Sequence, residues 1–272
     1  MSDAAVPDAG PIGAVTALAT TPVKGLRLLA RKEVMLTRLG VSDNRCFFLI
    51  DERARMVNGK RIGILSAVRA DYDDAHQRLE LRFPDGGAVA DEARGGNVIE
   101  ARFFSLPTIV RLVRGPFSEA LSSYTGQQLR LVRADPRLSA IDRGPRGAVS
   151  LISEASVQRL SAVAGEAVDP RRFRMLIEAA GFAAHGEDAL VGRRVQIGDA
   201  TVAIHGHVGR CLVTTQHPET GEVDLPTLDL LDYRRGLAST EPLAFGVYGE
   251  VLVPGAVRLG DAILAHPVAS LA

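Results

Sequence analysis

The side chain best equipped for chemistry is the thiol of Cys211. It stands in Gly209-Arg210-Cys211-Leu212-Val213-Thr214-Thr215, which runs on into Gln216-His217-Pro218-Glu219-Thr220-Gly221. An ionised thiol is a strong nucleophile and a soft ligand for a transition metal, and a neighbouring cation such as Arg210 favours the ionised form. The apolar run reads as a strand. Cys211, Val213 and Thr215 then share one face, while Arg210 faces the other way and would meet a ligand through its backbone. Pro218 to Gly221 reverses the chain, so the sulfur sits on a rigid element at its loop end. Gly209 permits close backbone approach to a flat ring. The default for a lone cysteine is a small buried hydrophobe, and that is the expectation for Cys46. His205 and His207 alternate on the parity of Cys211, the pattern of a His/Cys metal site. Gly206 and Gly209 interrupt that strand, however, so both histidines are expected in structural or exposed roles, and His217 is expected to be solvated in the turn.

The elements that must carry this thiol are mostly strands. Ala14–Leu18, Glu33–Thr37, Cys46–Ile50 and Arg78–Phe83 are short apolar runs, with Asp85-Gly86-Gly87 as a turn. Pro116–Tyr124 reads as a short helix stopped by Gly126, and Leu129–Arg133 as a further strand. Residues 134–148 are rich in proline, glycine and charge, which marks a boundary. Beyond it, Ser153 is placed to cap a helix reaching Val163, with Val157 and Leu160 on its apolar face. Arg194–Ile204 reads as two strands about a tight turn, Leu228–Leu237 as a helix, and Phe245–Val253 and Arg258–Leu264 as closing strands. The fold class expected is mainly β with short helices, organised as a β-barrel.

Composition limits the functions available. The chain has 272 residues, 46% of them hydrophobic, and its 32 basic side chains balance 32 acidic ones. No nucleic-acid footprint follows from that balance, and no apolar stretch is long enough to span a membrane. The two cysteines are far apart and make no CxxC, which argues against a disulfide framework or an iron–sulfur cluster and for a reduced, cytoplasmic protein. The wealth of Ala, Arg and Gly points to a bacterium of high GC content.

Several runs recur in a fixed order: Thr21-Pro22-Val23-Lys24-Gly25, Asp43-Asn44-Arg45-Cys46-Phe47, Leu151-Ile152-Ser153-Glu154, Arg172-Phe173-Arg174, Ile197-Gly198-Asp199-Ala200, the Cys211 segment, and Phe245-Gly246-Val247-Tyr248. With these the chain resembles the MOSC domain family, named for the C-terminal domain of molybdenum cofactor sulfurases, in the branch of the amidoxime-reducing components. The resemblance spans about residues 12–265. Residues 1–11, small and polar, are expected to form a disordered tail, and the resemblance implies a β-rich N-terminal domain at 12–134 and a MOSC barrel at 135–272. It also implies a molybdenum–molybdopterin cofactor with Cys211 as the protein's ligand to the metal and the catalytic residue. Cations would bind the pterin phosphate. By motif these are Lys24, Arg45 and Arg174, joined by Asn58, Ser153, Gly209 and Arg210, with Lys60 nearby.

Two positions depart from the family pattern. Met175-Leu176 stands where a Pro-Asn pair is usual, and Val247 replaces a more usual polar residue. The implied reaction is removal of oxygen from a small N-hydroxylated substrate: an amidoxime, a hydroxylamine or an N-hydroxy base. The chain has no flavin fingerprint, haem motif or cysteine cluster, so electrons are expected from a separate ferredoxin, flavoprotein or cytochrome. Two rivals keep the same cysteine. One is a persulfide carrier in a biosynthetic pathway, served by an external pyridoxal-phosphate desulfurase. The other is a non-catalytic carrier of the molybdenum cofactor.

Overall fold

The computed structural model describes residues 10–134, 144–237 and 241–265. Most of the expected tail at 1–11 and most of the expected boundary loop therefore lie outside the described residues. Seven strands close a barrel. In ring order they are Gly13–Thr20, Ile177–Ala180, Val149–Ser153, Ala244–Val253, Ala200–Gly209, Arg194–Ile197 and Ala262–Ala265, which returns to Gly13–Thr20. Closure leaves no unpaired edge. Val15, Leu18, Leu151, Ile177, Val195, Ile204, Val247 and Ile263 fill the interior, drawn from all seven strands together with Val202 and Val251.

The first strand does the closing. A register shift between Val15 and Ala17 divides its partners, so Gly13 and Ala14 pair with Ala262–Ile263 while residues 14–18 pair with 177–180. Likewise Glu33–Thr37 pairs with Gly255–Arg258. Val15, Leu18, Val34, Leu36 and Val41 thus belong to the core of the C-terminal barrel, although in sequence they precede the N-terminal sheets, while Val23 and Leu26 between them pack in the N-terminal core.

The N-terminal part is built on a five-stranded sheet, in the order Gly95–Phe103, Leu106–Val113, Arg130–Ala134, Phe47–Ile50, Met56–Val57, and a three-stranded sheet of Arg69–Asp73, Arg78–Arg82 and Ala88–Glu92. Phe47, Leu49, Leu79, Leu81 and Leu131 form its core with Phe117 and Leu121 of the helix Phe117–Thr125. Each large side chain buried there stabilises the fold by about 1.5–3 kcal/mol. That helix ends at Gly126 in the left-handed conformation, as its glycine stop requires. The sequence carries no turn signal for the long hairpin Gly95–Val113, because Phe104-Ser105 occupies its tip.

Two expectations fail locally. Arg210–Thr215 is not a strand: the sheet ladder ends at Gly209, and Leu212–Thr215 is a 3₁₀ turn with Cys211 at its N-cap. The hydroxyl of Thr214 donates to the carbonyl of Cys211 (3.0 Å) and that of Thr215 to the carbonyl of Leu212 (2.8 Å). These local bonds offer the backbone an alternative to sheet pairing. The helix expected over 228–237 is only Thr227–Leu230, followed by a 3₁₀ turn at Asp232–Arg234.

Candidate active site

Backbone pairing explains why distant motifs meet. The amide of Lys24 donates to the carbonyl of Phe47 (2.8 Å), that of Phe47 to Pro22 (2.9 Å) and that of Arg45 to Thr21 (2.7 Å). The two loops carrying Lys24 and Arg45 are thereby laced together. Gly25, at φ 95°, packs against the backbone of Asn58. Asn58 follows the strand Met56–Val57 and accepts the amide of Lys60 through its side chain (3.1 Å).

The second part brings its residues by the crossover between its parallel strands. Val149–Ser153 leads through the helix Glu154–Ala164 and the 3₁₀ turn Pro170–Phe173 back to Ile177–Ala180. Arg174 ends that turn in the left-handed region at φ 52°. The two parts are strapped reciprocally: Arg45 Nη2 donates to the carbonyl of Arg174 (2.8 Å), and Arg174 Nη2 to that of Leu26 (2.6 Å). Gln216 Nε2 adds a buried bond to the carbonyl of Gly59 (2.8 Å).

Between the parts lies a cavity of about 280 Å³. Lys24, Arg45, Asn58, Arg174, Gly209, Arg210 and Cys211 all line it, so seven candidates from five separated stretches of sequence converge on one space. Cys211 is exposed. Lys60 and Arg172 also line the cavity, making six cationic side chains, and no carboxylate does so among the described residues. Arg172 is buried in a two-pronged pair with Asp224, both contacts 2.6 Å, and its guanidinium holds that carboxyl below the usual range.

Ser153 does not join the cavity. It is fully buried, caps the helix by accepting the amide of Ser156 (3.1 Å), and donates to the buried carboxylate of Glu187 (2.8 Å). Of the two roles open to Ser153, the helix cap is the one seen, and in place of a contact to the pterin or its phosphate the hydroxyl joins an internal network. Arg210 departs the other way. Because Cys211 is not on a strand, the guanidinium of Arg210 turns toward the cavity wall, donating to the carbonyls of Phe245 and Phe173 (2.8 Å each) and to Met175 Sδ (3.1 Å). Its side chain, beyond its backbone, ties the cysteine segment to the Arg172–Arg174 turn and to the strand Ala244–Val253.

The two sequence departures separate in space. Met175 lines the cavity and serves as acceptor to Arg210. Val247 is buried inside the barrel, whereas Tyr248, the next residue on the strand, lines the cavity. Tyr248, Phe104, Ser66, Ser150 and Thr214 are lining residues that the sequence reading missed. Tyr248 and Thr214 had a signal, each its place in a recognisable run.

The remaining thiol and histidines behave structurally. Cys46 packs against the N-terminal core, and burial pushes its thiol up to about 12. His205 lies 3.2 Å from Glu250, and the buried His207 lies 3.5 Å from Asp188. Ring Nδ1 of His217 accepts the amides of Glu219 (3.2 Å) and Thr220 (3.3 Å), organising the turn where solvation was expected. Among the described residues, no group of three or more His, Cys, Asp or Glu side chains is placed to hold a metal ion.

Comparison with known proteins decides the family. Residues 139–264 match the MOSC domain and residues 12–103 the MOSC N-terminal beta barrel domain. The chain is a MOSC protein. It is 25% identical over 280 residues to mitochondrial amidoxime-reducing component 1 of Mus musculus, covering 93% of this chain and 82% of that one. To mitochondrial amidoxime reducing component 2 of Bos taurus it is 25% identical over 283 residues, covering 93% and 83%. The solved structure of the YuaD protein of Bacillus subtilis aligns with 94% of this chain and 97% of its own, at TM-score 0.48 and 13% identity. In this MOSC protein the site draws on both matched regions.

Proposed function

We propose that this MOSC protein is a molybdenum cofactor-dependent oxidoreductase that removes oxygen from N-hydroxylated compounds such as amidoximes, hydroxylamines and N-hydroxy bases. The observation that carries the reading is the placement of one exposed thiol, Cys211, on a cavity lined by six cationic side chains drawn from both parts of the chain. Full-length similarity to proteins named amidoxime-reducing components supports it.

The residues fit such a cofactor. With one thiol and no described cluster of metal-binding side chains, a metal held here must bring further donors of its own, as a pterin dithiolene does. When bound, the cofactor supplies two-electron oxygen-atom removal. Cys211 Sγ would ligate the metal. Lys24, Arg45 and Arg174 would neutralise the pterin phosphate, arginine matching its oxygens two at a time. The backbones of Gly209 and Gly59 complete the wall on which the ring would lie. Phe173 and Met175 give apolar wall, and Lys60 and Tyr248 bring exchangeable protons to the cavity. Electrons would come from a separate ferredoxin, flavoprotein or cytochrome, in a cytoplasm reducing enough to leave Cys46 and Cys211 unbridged.

The test is protein purified from a host that makes the cofactor, assayed for molybdenum, released pterin and reduction of benzamidoxime by a reduced dye. About one molybdenum and one pterin per chain, with turnover, are expected, and all three are lost in Cys211→Ala. Sulfane sulfur on Cys211 in properly loaded preparations without molybdenum would replace this reading with a persulfide carrier. Bound cofactor without turnover of any N-hydroxylated substrate would replace it with a cofactor carrier.

A further inference from the structure

The tip of the hairpin Gly95–Val113 spends conformational strain on an aromatic ring. Phe104 sits there at φ 55°, a conformation that hairpin turns ordinarily give to glycine or asparagine. Strain of this kind persists where the surroundings hold it and recurs at ligand clamps. Its ring is 52% exposed yet lines the cavity of Cys211. Phe103 meets it edge-on at 5.2 Å, and Lys24 Nζ lies 5.8 Å from its centroid. A large, half-exposed π-face beside a cationic cavity is suited to stacking on a flat ring, with nearby cations taking that ligand's anionic groups.

We infer that Phe104 is a stacking wall for a planar heteroaromatic or aryl ring entering the cavity, and so sets which ring-bearing ligands the site accepts. The inference rests on the reading of this cavity as a binding site. The ring has two sources, the pterin of the cofactor or the aryl group of an N-hydroxylated substrate, and the two are separable by experiment.

The chain contains no tryptophan and four tyrosines, so Phe104→Trp places its sole tryptophan at the hairpin tip, to be excited at wavelengths where tyrosine does not absorb. Cofactor-free protein would be titrated with pterin-6-carboxylate, with benzamidoxime and with acetamidoxime, which has no ring. Met35→Trp, exposed and away from the cavity, controls for non-specific quenching. Saturable quenching by the pterin alone assigns Phe104 to the cofactor, and by benzamidoxime alone to the substrate. In the loaded enzyme Phe104→Leu keeps bulk but removes the π-face. If the substrate is the source, benzamidoxime over acetamidoxime selectivity in kcat/KM falls about three- to ten-fold, the range expected for one aromatic pair. If the cofactor is the source, retained pterin falls instead. Absence of ring-dependent quenching, together with unchanged selectivity and pterin content in Phe104→Leu, overturns the inference even where molybdenum and acetamidoxime turnover are normal. Absence of molybdenum would sink the reductase reading and leave the fluorescence result to stand or fall alone.

Discussion

At the scale of the residue, Cys211 and Arg210 are adjacent and do different work. Cys211 is exposed and its side chain caps nothing, so cofactor-free Cys211→Ala is expected to melt within about 2 °C of the cofactor-free parent, the size of an ordinary surface change. In preparations from a host that makes the cofactor, the variant's molybdenum content is expected to vanish. A large drop in melting temperature would mean the cysteine is structural. Arg210 is the reverse case, since its guanidinium satisfies the carbonyls of Phe245 and Phe173 at once. Lysine has no fork to span them. Arg210→Lys is therefore expected to cost about 1–3 kcal/mol in denaturant unfolding and to weaken cofactor retention, because the cysteine segment and the Arg172–Arg174 turn lose their common tie. Unchanged stability would show that the tie is not energetic.

At the scale of the element, the reversing turn after Cys211 docks on the loop after Asn58 through two glycines. A Cβ on Gly221 would overlap the carbonyl of Gly63, and Gly221 also holds φ 76°. Gly221→Ala combines that overlap with a left-handed backbone, so about 1–3 kcal/mol is lost from strain alone, with cofactor content falling as the two parts separate. A melting temperature equal to that of the parent would contradict this. A pH effect belongs to the strand Ile177–Ala180. Burial, reinforced by the negative charges of Asp169 and Glu154 and opposed by Arg171, raises the Glu178 carboxyl to about 7. Between the ordinary carboxyl range and about 7 the folded chain keeps a proton that the unfolded chain has lost, so stability falls as pH rises through that window and is level above it. Glu178→Gln is expected to melt above the parent at pH 8 and level with it near pH 4. Parallel pH profiles for the two proteins would count against the buried carboxyl.

At the scale of the whole molecule, the barrel is closed by the segment furthest from it in sequence. Gly13–Thr20 bridges Ile177–Ala180 and Ala262–Ala265 and contributes Val15 and Leu18 to the interior. A chain beginning at Thr21 leaves two barrel edges unpaired and a gap in the core. It is expected to lose the cooperative thermal transition, followed by far-UV circular dichroism, and to lose its cofactor too. A cooperative transition at the parent temperature would show that the barrel closes without this strand. The same topology explains the cavity, which needs both parts: Lys24, Arg45 and Asn58 line it from one side, and Arg174 and Cys211 from the other.

What the sequence determined by itself was the residue types and the local periodicities: a β-rich chain, a helix stopped at Gly126, a Ser153 cap, and ordered runs specific enough to single out Cys211, Lys24, Arg45 and Arg174, which line one cavity. These are legible because strand alternation, glycine stops and motif spacing are properties of neighbouring residues. Tertiary structure alone decided that Thr214 and Thr215 turn the Cys211 segment out of the sheet, that Arg210 works through its side chain, and that Ser153 goes to Glu187. It alone brought Phe104 and Tyr248 to the cavity wall. Each of these depends on a partner far along the chain or on competition between a local hydrogen bond and a sheet ladder, and neither is written in the spacing of adjacent residues.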